Sequence, residues 1–265
     1  MKRTAFSLVE LSIVLVILGL LTGGILAGQS LIRAAELRAV TTEYNRYYTA
    51  AQAFKDKYFA IPGDFDSATR FWGRLNSNAD CVTNSSAAVA TPGTCDGNND
   101  RIMNGTNTAS ASLEAFQFWR QLALAGLIEG NYSGLVGAGG TSNAIPGTNV
   151  PISKLSGGSW GAWYTGVYAG GTNYYGLDYG NEFFFGSTII NGLNSGAILK
   201  PQEIWNIDTK MDDGKPGTGK VIAGDVAGFG TATACTTSAS GTDFTGTYNL
   251  GNSTVSCNLY FVRAF

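Results

Sequence analysis

The sequence contains no histidine among its 265 residues. This absence excludes Ser-His-Asp and Cys-His catalysis, and it also excludes histidine-ligated zinc. Charged side chains make up only 14% of the chain, and its 17 basic residues do not form the cluster that binds nucleic acid. Catalysis by a pair of carboxylates that line a cleft does not need histidine, but no hydrolase signature accompanies the acidic residues. We therefore expect neither an enzyme nor a nucleic-acid-binding protein.

Proline and cysteine are scarce, with six and four residues, whereas glycine is abundant with 36. Many glycines and few charges are typical of a turn-rich extracellular fold. The cysteines lie in two local pairs, and an even number of them in an exported protein favours disulfides. Three connectivities are possible, and closeness in the sequence favours Cys81–Cys95 together with Cys235–Cys257.

The N-terminal segment joins a short basic stretch, with Lys2 and Arg3, to a long apolar run that begins at Phe6 and contains a single acid, Glu10. A carboxylate inside a bilayer costs about 2.5–3.5 kcal/mol, so Glu10 needs a partner or a function. Cleavage after Ala5 would place a new α-amine on Phe6, four residues from Glu10. The alternative is an ordinary anchor in which Glu10 reaches the lipid headgroups.

This segment resembles the class III signal of type IV pilins and type II secretion pseudopilins, although that family usually has Gly where this chain has Ala5. The resemblance implies that a prepilin peptidase cuts after Ala5 and methylates the amine of Phe6. It also implies that Glu10 pairs with the Phe6 amine of a neighbouring subunit during filament assembly. The matching residues are Lys2, Arg3, Ala5, Phe6, Ser7, Leu8, Val9, Glu10 and Leu11.

Residues 11–28 form an uncharged, largely apolar run that is long enough to cross a bilayer core as a helix. A conventional signal peptide has a shorter core and a small-x-small cleavage site, which Leu26, Ala27 and Gly28 do not provide. By the positive-inside rule the basic leader would stay in the cytoplasm. We expect a single-pass protein of the bacterial inner membrane with its head in the periplasm, which later lies in a pilus or at the cell surface.

The long N-terminal helix is predicted to continue to Tyr58, because no proline interrupts residues 6–58 and Pro62 and Gly63 follow. Its second half carries apolar residues at steps of three and four, which places them on one face, and charged residues such as Glu43 are expected on the other faces. The residues of the apolar face are Leu37, Val40, Tyr44, Tyr47, Ala51, Phe54 and Tyr58.

The remaining segments predict an antiparallel sheet, so the fold class is α+β: a type IV pilin-like long helix packed on an antiparallel β-sheet head with long loops. The aromatic-rich residues 160–185 are predicted to form short strands. Their aromatic side chains would either face the helix or form an exposed strip that binds sugars or a partner. The other predicted elements are a helix from about 110 to 126 or 130, a helix from Pro201 to about Lys210, and strands near 221–223, 246–250 and 257–262.

The predicted organisation has four parts. They are a leader (1–5), a transmembrane or filament-core half-helix (6–32), an amphipathic half-helix (33–60) and an extracytoplasmic globular head (61–265).

Two acidic segments are candidates for binding a cation. Asp96, Asn98 and Asp100 alternate as in the first half of a calcium loop, and Ile102 would offer a backbone carbonyl. The loop lacks the glycine and the final glutamate of that motif, and an Asx-turn loop is the alternative. Major pseudopilins use calcium, so the resemblance favours this cofactor. In the second segment, residues 208–214, we expect a structural turn, with cation binding as a lesser alternative.

The resemblance, together with these observations, implies a structural subunit of a type IV pilus or of a type II secretion pseudopilus. The resemblance implies other pilin or pseudopilin subunits, the prepilin peptidase, an inner-membrane assembly platform and the membrane as its partners. The alternative is a membrane-anchored surface protein that never polymerises and binds ligands through a lectin-like or adhesin-like head.

Overall fold

The computed structural model describes residues 8–75, 93–103, 111–138, 142–171, 174–225 and 230–265. Within them the fold is mixed α+β, as predicted, with a long N-terminal helix and a four-stranded antiparallel sheet. The helices are α1 (Leu8–Tyr58), α2 (Ala68–Trp72), α3 (Ala111–Leu124) and α4 (Pro201–Met211). The strands are β1 (Ser159–Tyr164), β2 (Asn181–Gly186), β3 (Val221–Asp225) and β4 (Cys257–Phe261).

Helix α1 has 51 residues and is therefore about 77 Å long. We call residues 8–32 its apolar half and residues 33–58 its packed half. The side chains of the apolar half are almost all exposed, whereas the packed half lies against the head. The predicted apolar face is confirmed, because its seven residues are all buried or packed against the core. Glu43, which we expected on a solvent-facing side, is instead buried.

The sheet has the strand order β1-β2-β4-β3, and all neighbouring strands are antiparallel. Because side chains alternate between the two faces of a sheet, Phe183 and Phe185 of β2 face α1 and α3, and Phe184 faces the opposite side. On the helix side Tyr44 stacks on Phe261 with ring centroids 4.1 Å apart. The sheet is thus covered on both faces.

The aromatic residues of 160–185 are mostly core residues rather than an exposed strip, but only some of them face the helix as predicted. Trp160, Tyr175, Tyr179 and the three phenylalanines of β2 have at most 2% of their surface exposed. Tyr175 and Tyr179 belong to a second hydrophobic cluster on the face of the sheet that points away from α1.

The helices of the head begin and end where local signals place them. Pro201 occupies the first turn of α4, and the Glu203 carboxylate accepts a hydrogen bond from the Lys200 backbone N–H at 2.9 Å. Gly126 has a φ of +72° just after α3. The short α2 is not among the elements that the sequence predicts.

One predicted strand is wrong. Residues 246–250 form no strand, and their only ladder contact within the described part of the chain is the isolated bridge between Tyr248 and Thr236. Tyr248 is buried and its hydroxyl donates a hydrogen bond to Asp208. The segment is held by this contact and by the loop around Cys235, rather than by a neighbouring strand.

The Cys235–Cys257 disulfide is confirmed, with Cα atoms 5.1 Å apart, and it ties the loop around Cys235 to β4. Cys81 lies outside the described residues, so the Cys81–Cys95 pairing stays a prediction. Cys95 itself is 2% exposed, next to Gln117 of α3.

Candidate functional site

The apolar half of α1 is the principal candidate site. It contains a segment long and apolar enough to cross a membrane, and none of that segment is buried against the head. At 1.5 Å per residue the apolar half is about 37 Å long, compared with about 30 Å for a bilayer core. Its large side chains are between 51% and 84% exposed. This surface requires either lipid or other protein chains around it.

Glu10 is the single charged residue of the apolar half, and it lies exposed in the first turn of α1. Ala5 and Phe6, the predicted cleavage and methylation positions, lie outside the described residues. The acid is the third residue of α1 as described, where the helix dipole favours negative charge.

The hydroxyl groups of the apolar half bond to the backbone of α1 itself. Ser12 donates to the Val9 carbonyl at 2.9 Å, and Thr22 donates to the Leu18 carbonyl at 2.9 Å. Ser30 donates to the Ala27 carbonyl in the same way at 2.8 Å. Such local bonds satisfy the hydroxyls without water or a partner, so these side chains are compatible with an apolar environment.

Arg33 marks the junction between the apolar half and the packed half. Its guanidinium binds the Glu203 carboxylate of α4 in a bidentate manner, at 2.6 and 2.8 Å, and it also contacts Glu36 at 3.2 Å. Glu203 raises the pKa of Arg33. Burial alone would raise the pKa of Glu203, but Arg33 and the Lys200 N–H lower it. The charged pair therefore fixes α4 against α1 where the exposed apolar surface ends.

Glu43 attaches the packed half to the head. Its Oε2 accepts hydrogen bonds from Trp160 Nε1 at 2.8 Å and from Ser153 Oγ at 2.7 Å, and its Oε1 accepts one from the Lys154 N–H at 2.9 Å. The sequence did contain a signal for this role. Glu43 lies three residues after Val40 and four before Tyr47, so it falls within the stripe of the buried face.

The predicted calcium loop at residues 96–102 forms Asx-type turns. Asp96 accepts hydrogen bonds from the backbone N–H and the hydroxyl of Thr69, at 2.7 and 2.8 Å, and so caps the start of α2. Asn98 Nδ2 donates to Asp100 Oδ2 at 2.8 Å, and the Ile102 N–H donates to Asp100 Oδ1 at 2.8 Å. The structure thus brings Asn98 and Asp100 together, while Asp96 is directed towards Thr69. Calcium binding here stays a prediction.

A second group of acidic residues lies at the end of α4. One carboxylate oxygen each from Asp208, Asp212 and Asp213 lie within 4.8 Å of one another, and we call these residues the aspartate cluster. Asp208 is fully buried, Asp212 is partly exposed and Asp213 is exposed. Within the described part of the chain, this is the one group of three or more acidic or cysteine side chains close enough to share a metal ion.

Two further carboxylates are buried in the head. Burial raises the pKa of Asp64 to about 6, although the Arg101 N–H partly opposes the shift. Burial also raises the pKa of Glu182 on β2 to about 8, and the Thr165 hydroxyl, which donates to it at 2.6 Å, has the opposite effect.

The chain matches no family model, no curated protein and no solved structure. Its function is therefore inferred from its own residues.

Proposed function

We propose that this protein is a structural subunit of a type IV pilus or a type II secretion pseudopilus, assembled through the apolar half of α1. The observation that carries the proposal is a continuous helix whose apolar half lies free of the head and contains one acid, Glu10, at its membrane-entry end. An anchor that served only to hold a head at the membrane would not require a carboxylate there.

The same apolar surface suits two environments in succession. Before assembly it spans the inner membrane, with the head in the periplasm. In a filament the apolar halves of neighbouring subunits pack on one another, which removes the same side chains from water. Prepilin peptidase would cut after Ala5, and the Phe6 amine of one subunit would neutralise the Glu10 carboxylate of the next.

The rigid attachment of the head supports this role. Arg33 and Glu43 connect α1 to α4, to β1 and to the loop before β1. Because these contacts hold the head at one orientation on the helix, the packing of the apolar halves would also determine the positions of the heads along a filament. The inner-membrane assembly platform would act on the anchored, processed subunit.

The mature N-terminus tests the processing step. The full chain is expressed with a prepilin peptidase and its filament machinery, and the mature protein is analysed by mass spectrometry. We expect a chain that begins with N-methylated Phe6. A chain that retains Met1, or one cut near Gly28, would overturn the proposal.

Substitution of the acid tests assembly. Glu10→Ala should leave the protein inserted in the inner membrane and remove it from sheared filaments, because the charge that pairs with the Phe6 amine is lost. Asp56→Ala is the matched control, since Asp56 is an exposed acid on the same helix outside the apolar half, and it should still assemble. Assembly of Glu10→Ala at the wild-type level would show that Glu10 has no such role. An anchored wild-type protein that never enters filaments would favour the non-polymerising surface-binding alternative.

A further inference from the structure

The direction of the sheet shows which end of the head lies nearest to the apolar half of α1. Strand β4 begins at Cys257, whose carbonyl accepts a hydrogen bond from the Ile198 N–H. The Ile198 carbonyl in turn accepts one from Arg33 Nη2 at 3.4 Å. Strand β4 ends at Phe261, which stacks on Tyr44 further along the packed half. Thus β4 runs away from the apolar half, and the antiparallel β2 runs towards it.

A hairpin at the end of β2 carries two exposed isoleucines at this end of the head. Residues 187–196 form the hairpin, and an antiparallel bridge between its first and last residues closes it. Its tip contains Ile189 and Ile190, and Ile190 is 92% exposed. The Gly192 N–H donates a hydrogen bond to the Ile189 carbonyl at 3.0 Å, so the tip is a closed turn. The fold therefore holds a large aliphatic side chain in the open, at the end of β2 nearest to the apolar half.

Two further segments expose apolar side chains at the same level along α1. Helix α4 begins next to Arg33, whose guanidinium binds its first turn, and Trp205 of α4 is exposed. Gln202 donates a hydrogen bond to the Leu250 carbonyl, so the loop before β4 lies beside the start of α4. That loop exposes Leu250 and Val255. We call these three segments the head base, which comprises residues 187–193, 200–206 and 250–256.

The charge of the head base suits the headgroup region of a bilayer. Glu203 is the single acid in the three segments, and it is paired with Arg33. Lys200 is exposed. Tryptophan is enriched at membrane–water interfaces, and lysine can extend its charge towards the headgroups while its stem lies on apolar surface. The head base thus presents apolar side chains and a positive charge, without an unpaired acid that would repel lipid phosphates.

We propose that the head base docks on the outer surface of the bilayer that α1 crosses, with the tip at Ile189 and Ile190 inserted among the lipid headgroups. This inference rests on one step of the proposed function, namely that α1 spans the inner membrane before assembly. The apolar half extends about 37 Å from Arg33, whereas a bilayer core is about 30 Å thick and about 40–45 Å with its headgroups. A bilayer that accommodates the whole apolar half therefore has its outer surface at the head base.

The arrangement of the head base favours a lipid surface as its occupant. Its exposed apolar side chains come from three separate segments that share a level along α1, and a flat surface can contact all three together. The exposed surface is also continuous with the apolar half, because Arg33 lies at the boundary between them. Since the Arg33–Glu203 pair attaches α4 to α1, docking of the head base would determine how deeply the apolar half lies in the membrane before assembly.

The test uses spin labels on single cysteines introduced into the full chain, under non-reducing conditions that keep the Cys235–Cys257 disulfide intact. Each variant is placed, one chain per disc, in nanodiscs of phosphatidylethanolamine and phosphatidylglycerol. Relaxation of the label by dissolved oxygen is compared with relaxation by a water-soluble nickel chelate. For Ile190→Cys we expect the oxygen effect to exceed the nickel effect. Val167→Cys is the matched control, because Val167 is 83% exposed and follows the opposite end of the sheet, and there the nickel effect should be the larger.

A third label separates this proposal from the proposed function. Leu20→Cys lies in the middle of the apolar half, and its label should be relaxed by oxygen and protected from nickel. Exposure of the label at position 20 to nickel would mean that α1 does not span the bilayer, which would overturn the membrane step of the proposed function together with docking. A protected label at position 20 with a nickel-accessible label at position 190 would overturn docking alone. Protection at position 190 only when several chains share a disc would assign the head base to contact with a second copy of the chain and would also overturn docking on lipid.

Discussion

Arg33 and Glu203 are 170 residues apart in the sequence and form a bidentate ion pair at the point where the apolar half of α1 meets the head, with Nε 2.6 Å from Oε1 and Nη2 2.8 Å from Oε2. Planar guanidinium and carboxylate groups match in this geometry, which lysine cannot reproduce. The pair therefore determines where the free part of the helix begins.

Removal of Arg33 should destabilise the head. Arg33→Met keeps most of the alkyl packing but leaves Glu203, whose side chain is only 12% exposed, without its charge partner. We expect a loss of about 1–3 kcal/mol in the free energy of unfolding, measured by urea denaturation in micelles. A double-mutant cycle with Glu203→Gln isolates the pair. Arg38→Met, at an exposed position of the same helix, is the control and should change stability little. Equal effects of the two arginine substitutions would contradict a specific role for Arg33.

Glu43 should be more sensitive than an exposed acid of α1. Glu43→Ala leaves the N–H of Trp160, the hydroxyl of Ser153 and the N–H of Lys154 without their acceptor. Because each unsatisfied buried donor costs about 1–3 kcal/mol, we expect a loss of about 3 kcal/mol or more, with a change in the near-ultraviolet signal of Trp160. Glu43→Gln should lose less, since it keeps one acceptor oxygen. Asp56→Ala, at an exposed position, should be close to neutral, and a similar loss there would point to a general effect of charge on α1.

Sequence reasoning was most successful where structure depends on local pattern. The apolar stripe of α1 and the helix start at Pro201 follow from spacing and from proline chemistry, and both were predicted. Two misses have a common physical cause. The polarity of Glu43 predicts a position facing solvent, although its spacing places it in the buried stripe. The residues around Tyr248 predict a strand, but its hydroxyl donates to the distant Asp208 and its ring packs in the core. Long-range polar contacts decided both positions, and spacing along the chain does not reveal such contacts.

The candidate functional sites also differ in whether local pattern along the chain reveals them. The apolar half of α1 and Glu10 are visible as composition and spacing. In the structure one carboxylate oxygen each from Asp208, Asp212 and Asp213 lie within 4.8 Å of one another, whereas Asp96 is directed towards Thr69, and the sequence does not reveal this difference. Alternating oxygen side chains occur in Asx turns as well as in calcium loops, so the pattern at Asp96 and Asp100 could not distinguish the two.

Glu182 should make stability depend on pH. Its pKa is raised from 4.5 to about 8, chiefly by burial, so the folded state keeps a proton that the unfolded state has lost between these values. The contribution of Glu182 to stability is then fully present below about pH 4.5 and is lost as pH rises to about 8, by up to roughly 1.4 kcal/mol per pH unit, and the raised pKa values of Asp64 and Asp208 add to the fall at lower pH. The titratable groups that interact with it are Tyr174, Tyr179 and Tyr260, whose pKa values burial also raises, so they stay neutral in this range.

Glu182→Gln is the variant that checks this expectation. It should flatten the fall in unfolding free energy between pH 5 and pH 8 and should be more stable than the wild type at pH 8. Unfolding by urea at several pH values measures both effects. Glu129→Gln, at an exposed position, should keep the wild-type pH dependence. An unchanged slope in Glu182→Gln would mean that another group is responsible for it.

Loss of the Cys235–Cys257 disulfide should destabilise the head through the unfolded state. The bond closes a loop with a sequence separation of 22 residues, for which the chain-entropy model gives roughly 3 kcal/mol. Replacing both cysteines with alanine should lower the unfolding free energy by about this amount while leaving the helix content of the folded protein unchanged. Thermal unfolding under non-reducing conditions, followed by circular dichroism, makes the comparison. An unchanged melting temperature would show that the bond contributes little.

Substitution of Gly63 should destabilise the protein more than substitution of a glycine that shares only its positive φ. Its φ is +89°, and a Cβ there would collide with the Glu114 carbonyl oxygen and lie 3.0 Å from the Phe118 nitrogen. The left-handed conformation alone costs a non-glycine residue about 1–2 kcal/mol. Gly126 has a similar φ of +72°, but a Cβ there would meet nothing within 4 Å. Gly126→Ala therefore measures the conformational cost alone, and Gly63→Ala should lose clearly more because the turn that follows α1 must move away from α3. Equal losses in urea unfolding would show that the two elements separate without cost at this point.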